Sequence, residues 1–157
     1  MDARDVPYID LQTKGASYLE FRVGKGDKVV TPGSTVFVEM TMRAKKLATA
    51  QQPGGVLYYS TLKDAGPSQQ FAFTIGNGEV IPALEEAMLA EGGMKKGAVR
   101  RVEIPSIAVF AARKAGQLPV QKDADEIRLT KNLWKMEATM IVEVKVDKII
   151  PPTSAET

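Results

Sequence analysis

Residues 71–105 constrain the fold of this chain more than any other stretch. They read Phe71-Ala-Phe-Thr-Ile-Gly-Asn-Gly-Glu-Val-Ile-Pro82-Ala-Leu-Glu-Glu-Ala87 and then Gly93-Met-Lys-Lys-Gly-Ala-Val-Arg-Arg-Val-Glu-Ile-Pro105. The alternation of Phe71, Phe73 and Ile75 predicts a strand, and Gly76-Asn-Gly78 turns the chain. Pro82 stands at the first helical position, where its missing N–H costs nothing. Ile81, Leu84, Ala87 and Met88 share one helical face, with Glu85, Glu86 and Glu91 on the other. The acidic pair near the helix start also suits the macrodipole. Gly92-Gly93 ends the helix, and a second strand runs over 98–104. The block is a strand, a turn, a short helix, a turn and a strand.

Strand periodicity recurs on both sides of it. Residues 17–23 alternate Tyr18, Glu20 and Arg22 against Leu19, Phe21 and Val23; 35–42 place Val36, Val38, Met40 and Met42 on one side. A short strand is expected over 56–61 and a long one over 136–149, stopped by Pro151-Pro152. Turns fall at Gly24-Lys-Gly-Asp27 and Thr31-Pro-Gly-Ser34. Residues 1–16 read as an extended N-terminal arm that Tyr8, Ile9 and Leu11 would pin to a surface, 17–149 as the folded domain, and 150–157 as a flexible tail. The segment 111–135 reads as a long, charged loop with Trp134 near its end. Several strands around one short helix, without a strand–helix–strand rhythm, indicate an antiparallel α+β domain.

Composition excludes much of enzyme chemistry. The chain has 157 residues, 44% of them apolar and 25% charged, as in globular proteins. No apolar run approaches the length of a membrane-crossing helix. A formal charge of +2, with both signs interspersed, disfavours nucleic acid as the main partner. With no Cys and no His, thiolate catalysis, Ser-His-Asp triads and the usual zinc sites are out of reach, and neither a metal nor a cofactor is expected. The opening Met1-Asp-Ala-Arg-Asp-Val-Pro-Tyr8 lacks the charged-then-apolar pattern of a signal peptide. A cytoplasmic chain and one relieved of a targeting segment are both compatible with it.

From residue 15 to 149 the sequence resembles the FKBP-type peptidyl-prolyl isomerases. The resemblance rests on Tyr18…Val23-Gly-Lys-Gly26, Pro32-Gly33 before a long strand, and Phe71-x-Phe-x-Ile-Gly-x-Gly-Glu-Val-Ile-Pro82. Glu85-Glu86, Gly93-Met94-Lys-x-Gly97 and Arg100-Arg101-x-x-Ile-Pro105 follow in the family's order and spacing. It implies an FKBP-like fold, a twisted antiparallel sheet of about five strands wrapped around one short helix, with a pocket between helix and sheet. The wording of residues 78–87, the Arg-Arg pair and the Tyr8-x-Asp10-Leu11 lead-in look most like plastid members, some of which lie in the thylakoid lumen.

Such a pocket acts on the X–Pro bond, whose barrier of about 18–20 kcal/mol is crossed with no bond made or broken. The twisted amide is less polar than the planar one, so a dry aromatic pocket with a well-placed donor favours it. By resemblance the pocket here is formed by Met40, Tyr58, Tyr59, Phe71, Val80, Ile81, Leu84, Phe110 and Val142. Where the family carries a Tyr on the long strand, this chain has Met40; for an acidic residue it has Tyr59, and for the helix's aromatic floor, Leu84. Phe110 keeps a ring and loses a hydroxyl, and Val142 replaces a Phe. Phe71, Val80 and Ile81 remain, with Tyr58 as a replacement ring. Each aromatic-to-aliphatic change opens the pocket, and the lost hydroxyl and carboxylate remove its polar anchors.

Other signals have plainer readings. Phe73 and Ile75 are strand core. Glu85 and Glu86 point apart on a helix and read as a solvated face; Tyr58 and Tyr59 should alternate, one buried and one exposed. Gly76-x-Gly78 lacks the context of a dinucleotide site. Lys95, Lys96, Arg100 and Arg101 form a basic cluster on a turn and strand face, open to an acidic partner. In the family the loop after Phe110 overhangs the pocket, so Arg113, Lys114, Leu118, Pro119, Val120 and Trp134 are candidates for covering it or for meeting a partner. The expected function is a non-catalytic FKBP-like subunit docked on a larger assembly, a thylakoid complex on its lumen side being the natural host. The alternative is a working prolyl isomerase or folding helper.

Overall fold

In a computed structural model, residues 7–45, 55–131 and 139–152 are described. The strands are β1 (Ile9–Asp10), β2 (Ser17–Arg22), β3 (Lys25–Val29), β4 (Thr35–Ala44), β5 (Val56–Ser60), β6 (Phe71–Thr74), β7 (Lys95–Lys96), β8 (Val99–Ile104) and β9 (Met140–Ile150). The helices are α1 (Thr61–Asp64), α2 (Pro82–Leu89), α3 (Ser106–Lys114) and α4 (Ala124–Thr130). A seven-stranded antiparallel sheet has the order β1-β2-β8-β9-β4-β5, with β6 also paired to β4; β3 and β7 form a separate ribbon.

The antiparallel α+β class expected from the sequence is therefore what the chain adopts, with more elements than expected. Nine strands, four α-helices and one 3-10 helix (Ala90–Gly92) stand among the described residues, against about five strands and one helix. Of the added strands, β1 and β7 are two residues long, too short to show a period, and β3 runs through Lys25–Asp27, where a turn was expected. Residues 111–135 are not one irregular loop: 111–114 complete α3 and 124–130 form α4.

Period-two burial builds the core. Val36, Val38, Met40, Met42 and Ala44 of β4 face inward, as do Met140, Val142, Val144 and Val146 of β9. Val38 pairs with Val146 and Phe37 with Lys148, so Asp147 is an extra residue at a bulge. The bulge moves the inward row to Ile149, which is buried, and turns Lys148 to solvent.

Helix α2 lays Ala83, Leu84, Ala87 and Met88 on this core, with Pro82 at its start. Its carboxylates are not a solvated face. Glu86 accepts from the backbone N–H and the hydroxyl of Thr13, both at 2.9 Å, and Glu85 accepts from Gly76 N at 2.8 Å. Each acid therefore ties one loop to the helix. The N-terminal arm is held by that Thr13 clamp, by β1–β2 pairing and by Leu11 against the core. After α2 the chain passes beneath the strand entry at Val30. A Cβ on Gly93 (φ 95°) would collide with the Val30 carbonyl oxygen, so only glycine fits there.

Candidate functional site

Of the positions the resemblance assigns to a pocket, Met40, Tyr58, Tyr59, Val80, Ile81, Leu84 and Val142 lie in the buried core cluster, with Phe71 packed against it. Leu84, on α2, is 1% exposed; Val80 and Ile81 just before it, Met40 on β4 and Val142 on β9 are equally sealed. Phe71 on β6 and Phe110 on α3 are half-buried. Tyr59, 2% exposed, sets its ring edge-on to Phe71 at a centroid distance of 6.3 Å and 80°, and Phe71 leans on Phe73 at 5.8 Å. Where the family resemblance calls for a carboxylate, a ring is thus packed into an aromatic wall.

Tyr58 and Tyr59 do not alternate; both are buried. Met42 pairs with Tyr59 and Arg43 with Leu57, leaving Tyr58 as the extra residue of a bulge. A bulge puts two neighbouring side chains on the same side of a strand, and the second face of β5 is covered by α4. Burial, followed by the charges of Asp64 and Glu126, pushes the Tyr59 phenol up to about 12. Burial also raises Tyr58, with Arg113 pulling the other way. Both phenols stay neutral at physiological pH and offer hydroxyls, not anions.

The cover over β5 is latched by buried carboxyls that sequence reasoning missed. Asp64, closing α1, accepts from Ser60 N at 3.0 Å, Lys122 N at 2.7 Å and Asp123 N at 3.0 Å. Gln121 donates to Tyr58 O at 2.7 Å and to Thr130 Oγ1 at 3.0 Å. Asp123 caps α4 through Asp125 N and Glu126 N. Glu126, 3% exposed, lies against Asp64, with Lys63 Nζ 4.0 Å away.

Burial, then the hydrogen bond to Asp64 and the charges of Asp64 and Asp123, push Glu126 up to about 8, Lys63 opposing. Burial alone would raise Asp64 as well. The hydrogen bond from Glu126 and the three backbone N–H groups overcome it and hold Asp64 below the usual range. The two carboxyls are thus driven apart, Glu126 toward its neutral form and Asp64 toward its carboxylate.

Helix α4 consequently buries Glu126 and Thr130 while Ile127 and Leu129 stand 46% and 39% exposed. An apolar-stripe reading cannot find a helix that is inside out in this way. The available signal was Asp123-Ala-Asp-Glu126, which has the Asp-x-x-Glu spacing of a helix start.

The basic candidates divide. Arg100 is not a surface contact: it is 2% exposed, because β8 alternates and Arg100, Val102 and Ile104 share its inward row. Its guanidinium donates to the carbonyls of Ala87 and Ala90 at the end of α2 and to Glu20 at 3.0 Å, and lies 5.0 Å over the Tyr18 ring. It supplies a donor to the carbonyl end of α2, where the Ala90 carbonyl also accepts from Gly93 N at 3.1 Å. Arg101 is paired with Glu143 at 2.7 Å. Lys96 is exposed and Lys95 half-buried on β7; Arg113 and Lys114 are exposed in the last turn of α3, a favourable place for cations. Leu118 packs against the core, while Val120 is exposed. Trp134 lies outside the described residues.

A short helix packed on an antiparallel sheet, with apolar and aromatic side chains converging at the junction, is the architecture of a prolyl-isomerase-type domain. The profile of FKBP-type peptidyl-prolyl cis-trans isomerases matches residues 26–147, and the chain belongs to that family. It is 28% identical to the chloroplastic peptidyl-prolyl cis-trans isomerase FKBP19 of Arabidopsis thaliana, over 92% of this chain and 56% of that protein. This chain thus spans little more than half of that relative's length. Among solved structures, AtFKBP13 superposes with a TM-score of 0.61 at 16% identity, covering 92% of this chain and 100% of that one. The N-terminal domain of FKBP42 from Arabidopsis thaliana gives 0.58 at 17% identity, with 94% of each chain covered. At such identities the structural likeness speaks to fold alone.

Proposed function

We propose that this FKBP-type domain acts mainly as a non-catalytic docking subunit of a larger assembly. The observation that carries the reading is the state of the pocket. Its floor is Leu84, its strand positions are Met40 and Val142, and Tyr59 fills the place of an acidic anchor while packing edge-on to Phe71. An amide twisting in this space meets fewer rings than the resemblance calls for and no carboxylate. The outward Ile127 and Leu129 of α4, whose start is anchored by Asp64 through Lys122 N and Asp123 N, add an apolar surface suited to a protein partner. A host in the chloroplast accords with the name of the FKBP19 relative. The lumen side of a thylakoid membrane complex is our choice within it, against a cytoplasmic location.

The second reading, a working isomerase, is favoured by one observation: Phe71 and Phe110 keep rings at half-buried positions. Prolyl isomerisation needs shape and desolvation more than a nucleophile, so these rings matter. A protease-coupled isomerisation assay separates the two readings. We expect turnover on a Xaa-Pro peptide at least about 100-fold below that of an ordinary family member, a loss of about 2.7 kcal/mol in transition-state stabilisation. Turnover equal to an ordinary member would overturn the docking reading. Co-migration with a large membrane complex on fractionation is the expected companion result, and a free monomer in every fraction would count against it.

A further inference from the structure

The ribbon β3–β7 and the end of β9 enclose a basic cleft that neither the fold nor the pocket uses. One cavity of about 590 Å³ is lined by Lys25, Lys28, Lys96 and Lys148 together with Asp27 and Asp147. A second, of about 540 Å³, shares Lys25 and Lys96 and adds Arg22 and Val23. All five cations are exposed, and none takes part in an ion pair among the described residues. Asp147 is already engaged, by Lys145 at 3.6 Å and Gln70 at 3.0 Å, which leaves Asp27 as the one unpaired acid in the lining.

Two features show that the charge is presented by a defined surface. Lys25 and Lys96 are direct cross-strand partners, an arrangement of like charges that weakens a sheet. The ribbon is also tightly seated: a Cβ on Gly24 would stand 2.6 Å from Lys96 O and 2.8 Å from Ala98 N. Gly97 N donates to Val146 O at 2.7 Å, and Lys148 lies 5.5 Å over the Phe37 ring. The lysines therefore converge from a fixed scaffold rather than a loose loop.

We propose that this cleft is the docking surface for an acidic polypeptide segment of a partner protein, an inference that rests on the docking reading above and names its partner chemistry. The cations surround a concave space with apolar relief from Val23 and Ile149. An extended chain bearing Asp and Glu can enter such a space. A planar headgroup surface would touch only its rim. Four of the five cations are lysines, which bind carboxylates as point charges and need no planar fork.

The test is fluorescence anisotropy with a labelled oligoglutamate peptide. Binding is expected at low salt, weakening as salt rises. The double variant Lys25→Glu/Lys96→Glu should weaken it by about tenfold or more. Lys28→Glu/Lys148→Glu, which leaves the ribbon pairing intact, should do the same. The charge-matched Lys14→Glu/Lys131→Glu should bind within about twofold of the unaltered chain, since its sites lie elsewhere. No binding, or equal loss in all three variants, overturns the proposal. So does tighter binding, by the same lysines, to phosphatidylglycerol vesicles or to labelled single-stranded DNA. Failure here with continued co-migration in a large complex removes this surface and leaves docking standing. An ordinary isomerase rate without co-migration removes docking itself.

Discussion

Arg100→Ala is expected to lower the unfolding free energy by about 3 kcal/mol. The side chain is nearly inaccessible, and its loss removes the guanidinium donor from the Ala87 carbonyl at the end of α2, takes one of two donors from the Ala90 carbonyl, and leaves the carboxylate of Glu20 without its ion pair. It also empties the space over the Tyr18 ring. Urea denaturation should show a lower midpoint with little change in slope. Arg101→Ala is the comparison: it breaks a partly exposed ion pair with Glu143 and should cost about 1 kcal/mol or less. Equal effects at the two neighbours would contradict the assignment of Arg100 as the support of α2.

Asp64→Ala should cost about 3 kcal/mol, since it removes the acceptor of three backbone N–H groups. The signature should be local as well as global, with faster hydrogen exchange at Lys122, Asp123 and along α4. Unchanged protection there would mean that Asp64 does not hold the cover over β5.

Glu126→Gln tests the same latch through pH. The folded pKa of Glu126, about 8, lies above the value of about 4.5 for an unperturbed carboxyl. The folded state therefore keeps a proton that the unfolded chain has released, and stability falls as pH rises through that window. Above it the whole penalty is present. Gln keeps a neutral side chain at every pH, so the variant should lose that slope and gain on the parent in mildly alkaline buffer. Asp64 works oppositely: its folded pKa is depressed, and its contribution, present above the unfolded value, fades in acid as pH drops through the folded one. Parallel pH–stability curves for the parent chain and Glu126→Gln from pH 5 to about 9 would refute the buried neutral acid.

Much of the framework was legible because it is spelled locally. Alternation in β4 and β9 and the stripe Ala83, Leu84, Ala87, Met88 of α2 follow from the geometry of single elements. Helix α4 was not legible by that rule, because its buried positions are Glu126 and Thr130. Their burial becomes tolerable only when Asp64 and the Gln121 amide arrive from elsewhere in the chain. The basic cluster failed for a related reason. Residues 95–101 look alike in sequence, but strand alternation turns Arg100 in under α2 and leaves Lys96 outside. Lys25, Lys28 and Lys148 join Lys96 only through the β3–β7 ribbon and the bulge at Asp147.

The sequence by itself determined the family and the sheet-and-helix frame, since turn glycines, Pro82 and periodic burial act over a few residues. It also named the side chains at the positions where the family resemblance puts a pocket. Tertiary structure alone decided how those side chains sit: Tyr59 edge-on to Phe71, Tyr58 bulged inward, and the start of α4 anchored by Asp64. It alone decided where positive charge accumulates too. The physical reason is common to both. Desolvation and electrostatic coupling depend on distances between residues far apart in the chain, and folding sets those distances.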